Sequence, residues 1–208
     1  MTVTVPARRR DAQLNRAQIL SVALRELNAD PDVSIEEIAK AAGVVRRTVY
    51  GHFPSREALL DALAETVAAD VADLADEACF TKGDPTLTLA RFTLAVWRLR
   101  ERYRSFPVVA RRAASGGPRG QLDDVRARVA ALLERGQHNG QFGTDVAPRA
   151  LARMVEWLML GAIEAAAEGA VDDATGGRAA VLVTLRAVGA TRKDAERAVE
   201  RAFREARD

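Results

Sequence analysis

A single cysteine, Cys79, is all the sulfur the chain has for bridging. No intrachain disulfide can form, and nothing in the pattern suggests an oxidising compartment. No neighbour in sequence argues for a redox sensor, so Cys79 reads as a packed thiol. Long apolar runs are also missing. The longest candidate, Trp157 to Ile163, is closed by Glu156 and Glu164, well short of the roughly 20 residues a membrane span needs. The stretch before Arg8, Arg9 and Arg10 is too brief and too polar to be the apolar core of a signal peptide. These absences lead to the expectation of a soluble, cytoplasmic chain with no membrane partner. No zinc-like Cys/His spacing, phosphate-cradling glycine loop or dinucleotide fingerprint occurs, so neither metal nor cofactor is expected. No nucleophile stands with a base and a partnered carboxylate, which argues against an enzyme.

What is present is ordinary in amount and uneven in placement. The 208 residues suffice for a full core in one or two domains. Hydrophobic residues make up 48% and charged residues 29%, values of a folded rather than a disordered chain. Net charge is only +2, yet residues 1–56 hold nine Lys/Arg against six Asp/Glu, or +3, leaving −1 for the remainder. A basic head on a near-neutral body fits a DNA-contacting module joined to a part that does not touch DNA.

Residues 34–56 carry the most information. Ser34 can cap a short helix, with Glu37 three residues on completing a capping box. Ile35, Ile38, Ala39 and Ala42 follow helical spacing and commit one face to packing. Gly43 breaks the helix where a left-handed backbone costs least. In the second short helix that follows, Arg46, Arg47 and Thr48 are expected to face outward, with Val45 and Val49 pointing back. Two short helices about a glycine turn, the second one cationic, form the helix-turn-helix pattern that sets a recognition helix in the major groove. An arginine there can hold guanine O6 and N7 with two hydrogen bonds.

The run from Ser34 to Leu60, SIEEIAKAAGVVRRTVYGHFPSREALL, resembles the DNA-binding signature of the tetracycline repressor (TetR) family. The Ala-Gly-Val turn, the segment Tyr50, His52, Phe53 and the following Pro-Ser-Arg-Glu-x-Leu stand in the family's order and spacing. The resemblance implies an all-α chain, with a three-helix DNA-binding domain over residues 1–54 and a larger helical ligand-binding and dimerisation domain over 55–208. It implies phosphate contacts from Tyr50 and His52, and from Arg56 at a position commonly held by lysine. Ser34, Arg46, Arg47 and Thr48 complete the expected DNA-contacting set. The family usually has a small hydroxyl residue where this chain has Val45, so a capping group and a phosphate contact are absent. Arg8, Arg9 and Arg10 form either an arm into the adjacent minor groove or a solvated tail.

Downstream the chain reads as helix after helix. A first helix spans about 10–28, and a long one about 55–80 is expected to join the DNA module to the body. Others begin near Thr86, near Pro107 (short), at Gln121–Gln137, at Pro148–Glu168, at Gly177–Val188 and at Thr191–Arg207. The helix from Thr86 is apolar on two faces, as in an element sandwiched within a core. The 148–168 and 177–188 helices are apolar almost all round, more than a body of this size can bury. Their outer faces are expected to meet a second copy, as the family resemblance also implies. For a small-molecule effector the candidates are Phe92, Trp97, Phe106, Met154, Trp157 and Met159, which suit a lipophilic or aromatic ligand between helices. Arg98, His138, Glu156 and Glu164 are candidate polar contacts. The reading is a homodimeric regulator, a repressor, that binds a palindromic DNA operator and is released by a small molecule. Alternatives left open are a helical scaffold or enzyme-like body with incidental DNA binding, an activator, or a regulator answering to a protein partner.

Overall fold

Capping and punctuation residues set the helix boundaries. The computed structural model describes residues 7–78, 80–103 and 121–207. Among these lie nine helices: α1 Ala7–Ala29, α2 Ile35–Ala41, α3 Arg46–His52, α4 Arg56–Glu77, α5 Pro85–Arg102, α6 Gln121–His138, α7 Pro148–Ala167, α8 Asp173–Ala187 and α9 Arg192–Glu205. Ser34 Oγ accepts from the Glu37 backbone N–H at 3.2 Å, while the Glu37 carboxylate accepts from the Ser34 N–H at 2.9 Å and from its hydroxyl at 2.7 Å. The capping box is therefore complete. Ser55, Asp84, Asp172 and Thr191 cap α4, α5, α8 and α9 by the one-way bond alone, each side chain accepting a backbone N–H of the first turn. Beyond α2, Gly43 sits at φ 68°, and the Val44 N–H reaches back to the Ala39 carbonyl at 3.0 Å. That closure needs a left-handed residue, which glycine supplies without steric cost.

Two hydrophobic clusters organise the chain. The first joins Ile19, Ala23 and Leu27 of α1 to Ile38 of α2, Val49 of α3 and Phe53. It does not stop at residue 54: Leu59, Leu63 and Val67 of α4 belong to it, together with Tyr103 and Ile163. Each fully buried aliphatic or aromatic side chain contributes about 1.5–3 kcal/mol, so a seven-residue helix such as α3 is held by Val49 and Phe53 rather than by its own propensity. The second cluster centres on α5, whose Leu89, Ala90, Leu94 and Trp97 are all buried among α6, α8 and α9. This matches a helix apolar on two faces. Val71, Leu74 and Ala75, on the second half of α4, pack against that cluster. One helix thus takes part in both cores.

α8 begins four residues before the expected Gly177. Asp172 caps it, and Gly176 and Gly177 lie inside the helix. The glycine pair is there for packing: a Cβ on Gly176 would lie 2.4 Å from Cζ2 of Trp97, and one on Gly177 3.0 Å from its Cδ1. Arg8, Arg9 and Arg10 fall in the first turns of α1. Their side chains, Cys79, Phe106 and the short helix expected from Pro107 lie outside the described residues.

Candidate DNA-contact surface and internal cavity

The recognition helix presents its residues unequally. Arg46 and Arg47 are exposed, Thr48 is half-buried, and Val49 is fully buried. Val45 does not point back as expected; it is 69% exposed. It occupies the N-cap of α3 in an extended conformation and offers no side-chain hydrogen bond to the helix. An N-cap lies outside the helical repeat that aims Val49 inward, so periodicity misassigns it.

The two arginines differ in partner. Arg46 is ion-paired with Glu36 of α2, and its Nη2 lies 3.3 Å from the Tyr50 hydroxyl, with the guanidinium 5.2 Å from the Tyr50 ring centroid. Arg47 makes no hydrogen bond or ion pair among the described residues. Tyr50 remains partly exposed. His52 ends α3 half-buried, its ring tilted against Phe53 at 6.2 Å.

Two expected contacts are already committed within the chain. The Ser34 hydroxyl is consumed by the capping box. Its bond is the leading reason the Glu37 carboxyl is held below its ordinary pKa. The Arg56 guanidinium donates to the Val33 carbonyl and, at 2.6 Å, to that of Pro31. These two bonds tie the α1–α2 turn to the start of α4. Backbone carbonyls across a tertiary contact leave no mark in a linear sequence.

The expected effector residues do not form one site. Phe92 of α5 and Met159 of α7 line a cavity of about 100 Å³ between α4, α5, α6 and α7. Trp97, Met154 and Trp157 line a separate groove with α8, in which Gly176, Ala180 and Val183 form the other wall. Met154, Trp157 and Val183 are about half exposed, at 53%, 46% and 53%. α7 therefore turns Met159 inward and its tryptophan outward.

The cavity wall is built largely of small aliphatics that look like ordinary core in a sequence, including Val67, Ala68 and Val71 of α4 and Val125 and Val129 of α6. Of the polar candidates only Glu156 is there. Its carboxylate receives Arg126 Nε at Oε2 and Arg126 Nη2 at Oε1, both at 2.8 Å, a two-pronged pair across α6 and α7. Bonding to Glu156 holds the Arg126 guanidinium above its ordinary pKa. Arg126 is a lining residue that sequence reasoning misses, because its partner lies 30 positions away. Arg98 is exposed and donates to the Ala206 carbonyl at 3.2 Å. His138 is exposed at the end of α6, and Glu164 is not among the lining residues.

Residues 19–63 match the family model described as bacterial regulatory proteins, tetR family. This segment is similar to the DNA-binding part of TetR-family regulators. The matched segment runs from α1 through the start of α4 and includes the helix-turn-helix. No curated protein sequence matches the chain. Among solved structures, RolR in complex with resorcinol is 23% identical, covering 92% of this chain and 96% of its own, with a TM-score of 0.68. The TetR family protein CprB from S. coelicolor A3(2) is 20% identical, covering 93% and 97%, also at 0.68. A gamma-butyrolactone receptor, an ArpA-like protein, is 19% identical, covering 93% and 97%, at 0.67. At these identities the likeness is one of fold, and it extends over the body as well as the head. No described helix of the chain is long and apolar enough to cross a membrane.

Proposed function

We propose that the chain is a homodimeric repressor that binds a palindromic operator and is released by a small, largely apolar molecule in the α4–α7 cavity. The observation that carries this reading is the double membership of α4. Its first half packs the helix-turn-helix core through Leu59 and Leu63, and Val67, Ala68 and Val71 then line the cavity. A molecule that pushes on those three residues pushes on the element that holds the recognition helix. Two small-molecule complexes or receptors among the solved folds, one holding resorcinol and one a gamma-butyrolactone receptor, are in keeping with an effector cavity in the body.

On this reading Arg47 and Tyr50 are the main DNA contacts, assisted by Thr48 and His52, while Ser34 and Arg56 hold the module's shape. The half-exposed apolar groove of α7 and α8 is the face that meets a second copy, which sets two recognition helices about one turn of DNA apart. Residues 1–54 and 55–208 then act as DNA-binding and effector parts joined through α4. The effector must bind the DNA-incompetent state more tightly, so operator and effector weaken each other by the same factor. The test is fluorescence anisotropy on a palindromic duplex selected from a random pool by the full-length protein. Affinity must fall steeply with salt. An inducer whose affinity is the same with and without that duplex sinks the release mechanism.

A further inference from the structure

The cavity's polar groups restrict what it can hold. Among the described lining residues only Thr93, Arg126 and Glu156 are polar, and the last two are bonded to each other. Arg126 also pairs with Asp123, and Glu156 receives Arg153 Nη1 at 2.8 Å. Among the described residues this cluster therefore sets two cations against two anions, with no excess of either sign. A ligand carboxylate reaching Arg126 would lie beside the Glu156 carboxylate; a ligand ammonium reaching Glu156 would lie beside Arg126. Either meets like charge in an apolar, poorly screened wall, and unpairing a half-buried ion pair to admit it is costly.

The remaining hydrogen-bonding capacity is specific. A carboxylate offers about four acceptor positions. On Glu156 the described residues take three, two at Oε2 and one at Oε1; a further bond at Oε1 calls for a donor. Arg126 has N–H groups beyond the three bonds it makes and can be satisfied only by an acceptor. A hydroxyl supplies both. Size limits the rest: the space is about 100 Å³, below the roughly 150 Å³ of an apolar cavity that holds benzene, so nothing larger than a single ring is admitted.

We infer, resting on the reading of this cavity as the effector site, that the effector is an uncharged molecule of about one six-membered ring bearing a hydroxyl. That hydroxyl donates to Glu156 and accepts from Arg126, and the ring lies among the aliphatics of α4 and α6.

Isothermal titration of the full-length protein at neutral pH with phenol, toluene, benzoate and benzylamine tests this. Phenol should bind at least about tenfold more tightly than the other three, the scale of one hydrogen bond to a charged group. In Glu156→Gln that advantage over toluene should shrink, and benzoate should gain. A phenol advantage below that factor, or tighter binding of either charged probe, overturns the inference. Val155→Trp, which fills the cavity, separates the two levels. If it abolishes toluene and phenol binding and the two bind the parent equally, the cavity reading stands and the hydroxyl inference falls. If no probe binds, or Val155→Trp binds them unchanged, the cavity reading falls and the inference with it. Ala152→Leu is the milder filling to use if Val155→Trp loses its helical signal.

Discussion

The hydroxyl of Tyr103, at the C-terminal end of α5, donates to the Asp70 carboxylate on α4 at 2.5 Å. Tyr103 is buried in the head's cluster, and Arg102 joins the same carboxylate at 2.9 Å while its carbonyl accepts from Asn28 of α1 at 3.2 Å. The end of α5 is thereby bonded to both α4 and α1. Tyr103→Phe removes a hydrogen bond to a charged acceptor and should cost about 2 kcal/mol of folding stability, read from urea melts.

The same contact has a pH signature. Burial first, then the bond to Asp70, pushes the Tyr103 phenol above its ordinary pKa. A phenol raised in the folded state contributes stability in full below its unfolded value, about 10, and that contribution is lost as pH rises toward the folded value. Thermal melts on either side of pH 10 should show the parent losing more stability than Tyr103→Phe. Equal alkaline losses in the two proteins would remove Asp70 and Tyr103 from the account.

Arg46 and Arg47 should behave differently on DNA, because Arg46 is held by Glu36 and Tyr50 and Arg47 is not. Arg47→Ala should cost about 1–3 kcal/mol of discrimination between the selected duplex and a mutated one. Tyr50→Phe should weaken both duplexes alike, as a phosphate contact does. Anisotropy with both duplexes measures the two effects; unchanged discrimination in Arg47→Ala would shift the base-reading role away from it.

Trp157 and Val183 stand on the outer face of α7 and α8 with Met154. If this face covers a second copy, Trp157→Glu and Val183→Glu bury a charge and should convert dimer to monomer at micromolar concentration, with little change in helical content. Light scattering on the eluting species reads the mass directly. A dimer that survives both substitutions is formed elsewhere.

What could be read from the sequence divides along the range of the interaction. The cap at Ser34, its partner Glu37 and the turn at Gly43 involve residues within ten positions, and backbone rules alone specify them. The alternation of apolar faces on α5 is likewise a local pattern, and it led to the sandwiched helix. Arg56 looks like a phosphate clamp in one dimension, yet two of its N–H groups end on carbonyls 23 and 25 positions upstream. Arg126 and Glu156 become a pair only when α6 and α7 pack. Trp157 reads as a pocket residue because tryptophan suits ligands, but orientation about a helix that is apolar all round is set by its neighbours and not by its own sequence. The small aliphatics of α4 that wall the cavity carry no signal that separates them from core.

Gly176 tests whether packing or propensity governs α8. By propensity alone Gly176→Ala should stabilise a helix interior by about 1 kcal/mol. The added methyl would lie 2.4 and 2.8 Å from Cζ2 and Cη2 of Trp97 and 2.9 Å from Cγ1 of Val171. The indole cannot yield easily: it is buried, and Arg100 stacks over it with its guanidinium carbon 4.3 Å from the ring centroid. Overpacking of this kind costs about 1–3 kcal/mol, so the clash should win and Gly176→Ala should lower the melting temperature. Tryptophan fluorescence checks the cause, because displacement of the buried Trp97 into water shifts emission to the red, whereas Trp157 is already partly exposed. Ala174→Gly, at an exposed position two residues earlier in the same helix, is the control: it should lose stability through propensity alone and leave the emission unmoved. A stabilised Gly176→Ala with unshifted emission would mean that α8 and α5 are farther apart than the indole contact requires.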